Sequence, residues 1–594
     1  MTRFGRWAAR RRAAAGLRTD VRVLLLAGNP EDPTTRAWRA VLDRVGTDHD
    51  VLHPDGARPV TDGDLVHGGD PDHGRYHAII AGTDTSAFWS SSAALHRYRR
   101  RFGVRQLAAY EFPRPGAGLE AHGGRDTTGV TVRVTPAGAA VFGYLRGELV
   151  LGAGSWGYRA TVLDHDRFTT LVETTDGEPV VGVADDGQGL EDVVVLVNND
   201  EWMLHGLLLA RGLLTWVTRG THLGLERHFL SCHVDDVLLA NATTRQGEVV
   251  PAEHPAVVRM TPGDVEALVA WQEEHGFTFD LAFNGRGAGT DDALTRSLLT
   301  SAAEFRWINH TWSHRDLGRA ATHDRSPAGA AAPWLDASAL SEEIGANNDW
   351  ARSVGLGASA TALVTGVHSG LDNPNLPEAL RGNDITAIAT DSSLPAHGSS
   401  IGPATTVPRH PTNVYAHVST WGQLLDDYNR QYAPQGVRAA STEEFLRSET
   451  TIVLRHVLTN DPGPLFAHQS NLAGERVLLT FVGHVLGVLG SLLDGSAPLV
   501  NTSMDEVAEE LRRRHRWRSA LASGRVTALL HAGALEVRTT EDVQVPLTVP
   551  EHSRTAGRRQ RRAHLGDAYA GTRSGWIDVR AGEPLRVTLP VGAR

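Results

Sequence analysis

The chain has 594 residues, with 58 Lys+Arg against 69 Asp+Glu, a net charge of −11 and one cysteine. It contains no lysine, which excludes a Schiff-base lysine, a P-loop lysine and pyridoxal chemistry. The mild acidity argues against a nucleic-acid partner, and the single Cys232 leaves no intramolecular disulfide to infer.

Residues 1–20 form an Arg-rich arm (Arg3, Arg6, Arg10, Arg11, Arg12, Arg18) with no apolar h-region before Asp20, so no conventional secretion signal is read. Residues 21–120 alternate strand and helix: a strand from Val21, a helix over 35–45, a strand over 77–81, a helix over 87–102 and a strand from Val104. That alternation predicts a flavodoxin-like α/β layer. Its first strand runs into Asn29-Pro30-Glu31-Asp32-Pro33 instead of a Gly-rich loop, so nucleotide binding is unsupported. Residues 121–221 read as a β-rich module with a connecting helix. Two apolar stretches invite a membrane check. One, 202–217, is interrupted by His205 and Arg211; the other, 477–493, is at the lower limit for spanning. Both are read as buried helices, and no integral membrane span is expected.

Residues 222–500 repeat strand–helix units, with strands over 279–283, 305–308, 360–364 and 385–390, and predict a distorted (β/α) barrel. The Pro-, Gly- and Ala-rich stretch 325–335 reads as an exposed loop over its rim. Residues 501–594 carry a linker helix and a small C-terminal β domain, with a basic run at Arg558, Arg559, Arg561 and Arg562 read as a solvated loop. The fold class is therefore α/β.

Chemistry concentrates in the barrel region. An apolar stretch ends on Asp235-Asp236, and a later one ends on Asn309-His310-Thr311-Trp312-Ser313-His314. Strands of such sheets deliver functional side chains at their C-terminal ends. Two imidazoles and one carboxylate make a three-ligand set for zinc or another divalent transition metal, with a position left open, and the second carboxylate can act as a general base. Neighbouring strand residues point to opposite faces, so both Asp residues can serve one site only across a local bend. His233 shares the face of Asp235 and is expected to be a hydrogen-bonded neighbour, while Cys232 points to the core. Asn284 and Asp391 directly follow strands and are expected on the same rim as substrate-binding residues, together with Trp312.

The Asp-Asp pair followed by H-T-x-x-H resembles the polysaccharide deacetylase superfamily of the chitin- and nodulation-factor-deacetylase type. His233-Val234 stands where that superfamily has Thr-Phe. The run from Thr215 to Gly220, continuing through Arg227-His228-Phe229-Leu230, looks like the branch that deacetylates galactosaminogalactan and similar exopolysaccharides. So do Arg409-His410-Pro411-Thr412-Asn413 and Phe466-Ala467-His468-Gln469-Ser470-Asn471-Leu472. The resemblance implies Asp235 as base, Asp236, His310 and His314 as metal ligands, Arg409 of an R-x-P motif orienting the base, and His468 as proton donor to the leaving amine. Ala467 replaces a Leu of the motif around that histidine. The implied partner is an N-acetylated amino-sugar polymer and the implied activity is metal-dependent N-deacetylation. That substrate class would place the protein outside the cell or at its surface. A catalytically inactive carbohydrate-binding or scaffold protein on the same fold is the alternative.

Overall fold

A computed structural model describes residues 16–54, 58–243, 257–289, 291–319, 332–392, 399–555 and 564–590. Arg3, Arg6, Arg10, Arg11, Arg12, the basic run Arg558–Arg562 and most of the expected rim loop (325–331) lie outside the described residues.

Seven parallel strands close on themselves in residues 232–468. They are Cys232–Val237, Asp280–Phe283, Arg306–Asn309, Ala362–Leu363, Ala387–Asp391, Ala404–Pro411 and Leu465–His468, with the last pairing back on the first. This is the predicted distorted barrel. The inward positions are mostly small: Ala282, Ala362, Ala387 and Ala389, with Ile308, Val364 and Val407 between them. A seven-strand barrel is narrow, and side chains of that size fill it without strain. The helix Met504–Ala522 closes the N-terminal end of the barrel. Its Met504, Val507, Ala508 and Leu511 complete the same apolar cluster. Polar residues flanking that face tie it to strand ends: Asp505 accepts from Thr361 Oγ1 at 2.7 Å, and Arg512 donates to the Thr386 carbonyl at 3.2 Å. A capping box at Ser503 and Glu506 starts the helix, so its register against the barrel is set locally. With one end plugged, the site can open only at the C-terminal end.

The N-terminal layer has the predicted parallel core. Its strands stand in the order His49–Leu52, Val23–Leu26, Ala78–Ala81, Arg105–Ala108 and Glu191–Val195, the flavodoxin-like 2-1-3-4-5 arrangement. The fifth parallel strand comes from the stretch read as a β-rich module. Pro179–Asp185, Phe168–Thr174, Thr131–Val134 and Glu148–Val150 continue the sheet antiparallel to nine strands. One sheet thus spans both stretches. The helix Pro33–Val45 covers it, started by Asp32, whose carboxylate accepts from the N–H of Thr34 and Thr35, and stopped by Gly46 at φ 81°.

Residues 204–217 and 477–492 are helices, Leu204–Val217 and Val477–Leu492. The first is buried on nearly every side, and its Arg211 donates to the Tyr569 carbonyl at 3.1 Å. Among the described residues no helix is long and apolar enough to cross a membrane.

The C-terminal β structure consists of two sheets packed over one core of Leu535, Val537, Val587, Val545, Leu547 and Ile577. It borrows strands from earlier in the chain: Arg18–Asp20 pairs with Val526–His531, and His222–Leu223 with Val543–Pro550.

Truncating the plug tests its role. Leu511→Ala should lower unfolding stability by about 2–5 kcal/mol through the cavity it leaves under the barrel, read from chemical denaturation followed by tryptophan fluorescence.

Candidate metal centre and active site

The first barrel strand bends where the two acids stand. Pairing with the second strand shifts register between Val234 and Val237, and Asp236 takes φ 64°. The bulge turns Asp236 to the side Asp235 already faces, as the sequence required of any site using both. The third strand ends at Asn309, and His310 and His314 follow in a loop with Thr311 at φ 64° and His314 at φ 59°. Non-glycine residues in left-handed conformations are uncommon, and their concentration here marks a backbone held by its surroundings.

Asp236 Oδ1 lies 3.3 Å from His310 Nε2 and 3.2 Å from His314 Nε2. Among the described residues neither Asp236 Oδ1 nor His310 Nε2 has a hydrogen-bond partner, although both are buried. Buried polar atoms without partners are costly, and here they converge on one point with His314. The outer atoms of the set are committed elsewhere. His310 Nδ1 is 2.9 Å from the Val364 carbonyl, which fixes Nδ1 as the protonated nitrogen and leaves Nε2 with a lone pair. Asp236 Oδ2 accepts from Asn241 Nδ2 at 2.6 Å, and Asn241 Oδ1 in turn accepts from Gln469 at 2.6 Å. Two imidazoles and a carboxylate with this second layer fit a divalent transition metal such as zinc.

Two other groups bring similar ligand types together. In Asp20–His67–His73 the carboxylate is 2.7 and 2.9 Å from the two imidazoles, and in His410–His456–Asp461 it is 2.9 Å from His410. Those carboxylates are already hydrogen-bonded, unlike Asp236 Oδ1.

Asp235 is paired with Arg409 through two parallel bonds, Nη1 to Oδ1 at 2.8 Å and Nη2 to Oδ2 at 2.9 Å. Burial works to raise the Asp235 carboxyl, but Arg409 and then His310 hold it well below the ordinary carboxylate range. The two-bond contact with Arg409 favours its ionised form. His468 stands on the seventh strand in register with Asp235. Burial lowers the pKa of its imidazole, against the opposing pull of Asp235 and Asp236.

The structure therefore gathers Asp235, Asp236, His310, His314, Arg409 and His468 at one end of the barrel. The expected substrate residues divide. Asp391 ends the fifth strand, exposed at the rim, and Trp312 is half-buried, its ring edge against Gly285. Asn284 does not face the rim. It is fully buried, and its Nδ2 donates to the carbonyls of His310 at 2.6 Å and Thr311 at 2.9 Å, so it supports the ligand loop from below. His233 also departs from expectation: it is buried under the site, but among the described residues neither ring nitrogen has a hydrogen-bond partner.

Several supporting residues escape a reading of motifs. Asn309 accepts from the Thr311 N–H at 2.8 Å and from Asn347 at 2.9 Å, and Glu343 accepts from Ser313. Asn309 had a signal, since it directly precedes His310; Asn347 and Glu343 sit on the distant helix Ala337–Ser353 and had none. His368, beside Arg409, is another.

No protein-family model matches the chain. The structure superposes on the crystal structure of Agd3, described as a novel carbohydrate deacetylase, with a TM-score of 0.80 over 97% of this chain and 99% of that one. Identity is 17%, and the likeness establishes a common fold from end to end. A stretch of 138 residues is 30% identical to the human bifunctional heparan sulfate N-deacetylase/N-sulfotransferase 1, and its mouse counterpart matches equally. The chain spans 14% of the length of these curated relatives.

Only Asp236 of the two acids lies with both histidines, while Asp235 is held by Arg409. Asp236→Asn and His310→Ala should each lose most of the bound zinc, by about 10-fold to 100-fold in affinity, whereas Asp235→Asn should keep it. Elemental analysis and chelator competition on the purified variants read this directly; equal zinc loss in both Asp variants would contradict the assignment.

Proposed function

We propose that this chain is a metal-dependent N-deacetylase acting on a polysaccharide that contains N-acetylhexosamine. The observation that carries the reading is the triad Asp236–His310–His314, whose buried Asp236 Oδ1 and His310 Nε2 have no hydrogen-bond partner among the described residues, beside the Asp235 carboxylate and the His468 imidazole on adjacent strands. The shared fold with a carbohydrate deacetylase and the local similarity to proteins named N-deacetylases support it. A polymer substrate implies a site of action outside the cell or at its surface.

A divalent cation held by Asp236, His310 and His314 would polarise the acetyl carbonyl and acidify a water molecule. Asp235 faces the same space and takes a proton from the attacking water. Arg409 keeps that carboxylate ionised and in one orientation through its two-bond grip. His468 delivers a proton to the departing amine as the C–N bond breaks, so acetate and a free amino sugar leave. Two carboxylates turned to one side by the bulge do not suit glycoside cleavage, which needs them to flank one bond from opposite sides.

Acetate release across a panel of N-acetylated glucosamine and galactosamine polymers tests the reading. Asp235→Asn should reduce turnover by about 100-fold or more, and zinc-loaded wild type that releases no acetate from any of them would exclude it. His468→Ala should impair N-acetyl oligomers far more than an activated aryl acetate, whose leaving group departs without a proton. Equal loss on both would assign His468 a different role.

A further inference from the structure

Five consecutive residues after the fourth barrel strand touch three parts of the site. The Val364 carbonyl is the partner of His310 Nδ1 at 2.9 Å. Gly366 lies flat under the other histidine ligand: a Cβ there would stand 3.1 Å from Cδ2, Cε1 and Nε2 of His314. His368 Nε2 is 3.1 Å from Arg409 Nε and 2.7 Å from Arg409 Nη2. A guanidinium only donates, so Nε2 of His368 is the acceptor in this contact. Arg409 is thereby held on one edge by Asp235 and on another by His368, with its guanidinium 4.5 Å from the centre of the Phe466 ring.

The backbone of the segment is in a conformation few sequences adopt. Val367 has φ 47° and His368 has φ 52°. A left-handed conformation is costly for a non-glycine residue, and more acutely for a β-branched one. The Val367 side chain is 80% exposed, so its own packing does not offset that cost. The contacts on either side of it, at Gly366 and His368, are what hold the turn.

We propose that Val364–His368 is a positioning element that sets both histidine ligands and the Arg409–Asp235 pair together, with His368 as the positioning residue for the base. Its catalytic consequence rests on the deacetylase reading above; its effect on the metal site does not. Gly366 has an ordinary φ, so in Gly366→Ala the added methyl acts only by displacing His314.

Three variants test this, all in the full chain. Gly366→Ala should bind zinc about 10-fold more weakly in chelator competition, a measurement that needs no substrate. His368→Ala should keep zinc affinity, hold KM within about two-fold and lose kcat by about 10-fold to 100-fold. His368→Gln, whose Oε1 can accept from Arg409, should recover most of that kcat. A crystal structure of His368→Ala should show Arg409 released from its two-bond grip on Asp235. Unchanged zinc affinity in Gly366→Ala, a Gln variant no better than Ala, or an undisturbed Arg409–Asp235 pair in that crystal structure would each overturn the proposal. If wild type binds zinc but deacetylates nothing, the functional reading fails, and the zinc and crystallographic results still decide this one.

Discussion

The buried pair between Arg409 and Asp235 is the interaction around which the site is organised. It links the first and sixth strands across the seventh, above a cluster of alanine and branched aliphatic residues in the barrel. Removing two charges from water is expensive, and such a pair persists only with good geometry and further hydrogen bonds. Both conditions hold: the contact is bidentate, and the remaining guanidinium edge is met by His368. Breaking it from one side would strand a buried charge at a cost of about 3–5 kcal/mol. The pair therefore bears on stability and on the proposed chemistry at the same place, since the carboxylate it holds is that of the proposed base.

Strain gathers around that pair. Asp236, Thr311, His314, Val367 and His368 all adopt positive φ within three loops at the C-terminal end of the barrel. Each turns a side chain to a face a regular strand would deny it. The compensation is a layer of amides: the half-buried Asn241 on Asp236, and the buried Asn284 on the carbonyls of His310 and Thr311 and Asn309 with Asn347 under the same loop. These are neutral groups with both donors and acceptors, suited to fixing backbone without adding charge beside the proposed cation site.

The surrounding structure restricts where the site can open. The helix Met504–Ala522 plugs the opposite end, and the same helix contributes Trp517 and Ala520 to the core of the C-terminal sheets. Those sheets take strands from residues 18–20 and 222–223, so segments far apart in sequence share hydrogen bonds. A chain wound in this way holds the barrel in a fixed frame, and the ligand loops inherit that rigidity.

How much of this was legible in the sequence follows from the range of each interaction. The barrel strands were readable because a buried parallel strand is a short apolar run, and the proposed ligands were picked out because they stand at or just beyond the ends of such runs. The need for a bend at Asp235-Asp236 was also readable, because two adjacent strand residues cannot otherwise share a face. Asn284 looked the same in sequence as a rim residue would, since both directly follow a strand; only the fold shows its amide committed to the neighbouring loop. His368 carries no motif, and its meeting with Arg409 depends on how the fourth and sixth strands are set around the barrel. The single sheet that joins residues 23–108 to residues 131–195 depends likewise on pairing of Glu191–Val195 with Arg105–Ala108. Residue type and spacing along one strand determined which side chains could do chemistry here. Non-local register, buried amide networks and positive-φ turns decided which of them meet, because those are set by contacts between segments that the linear order does not place side by side.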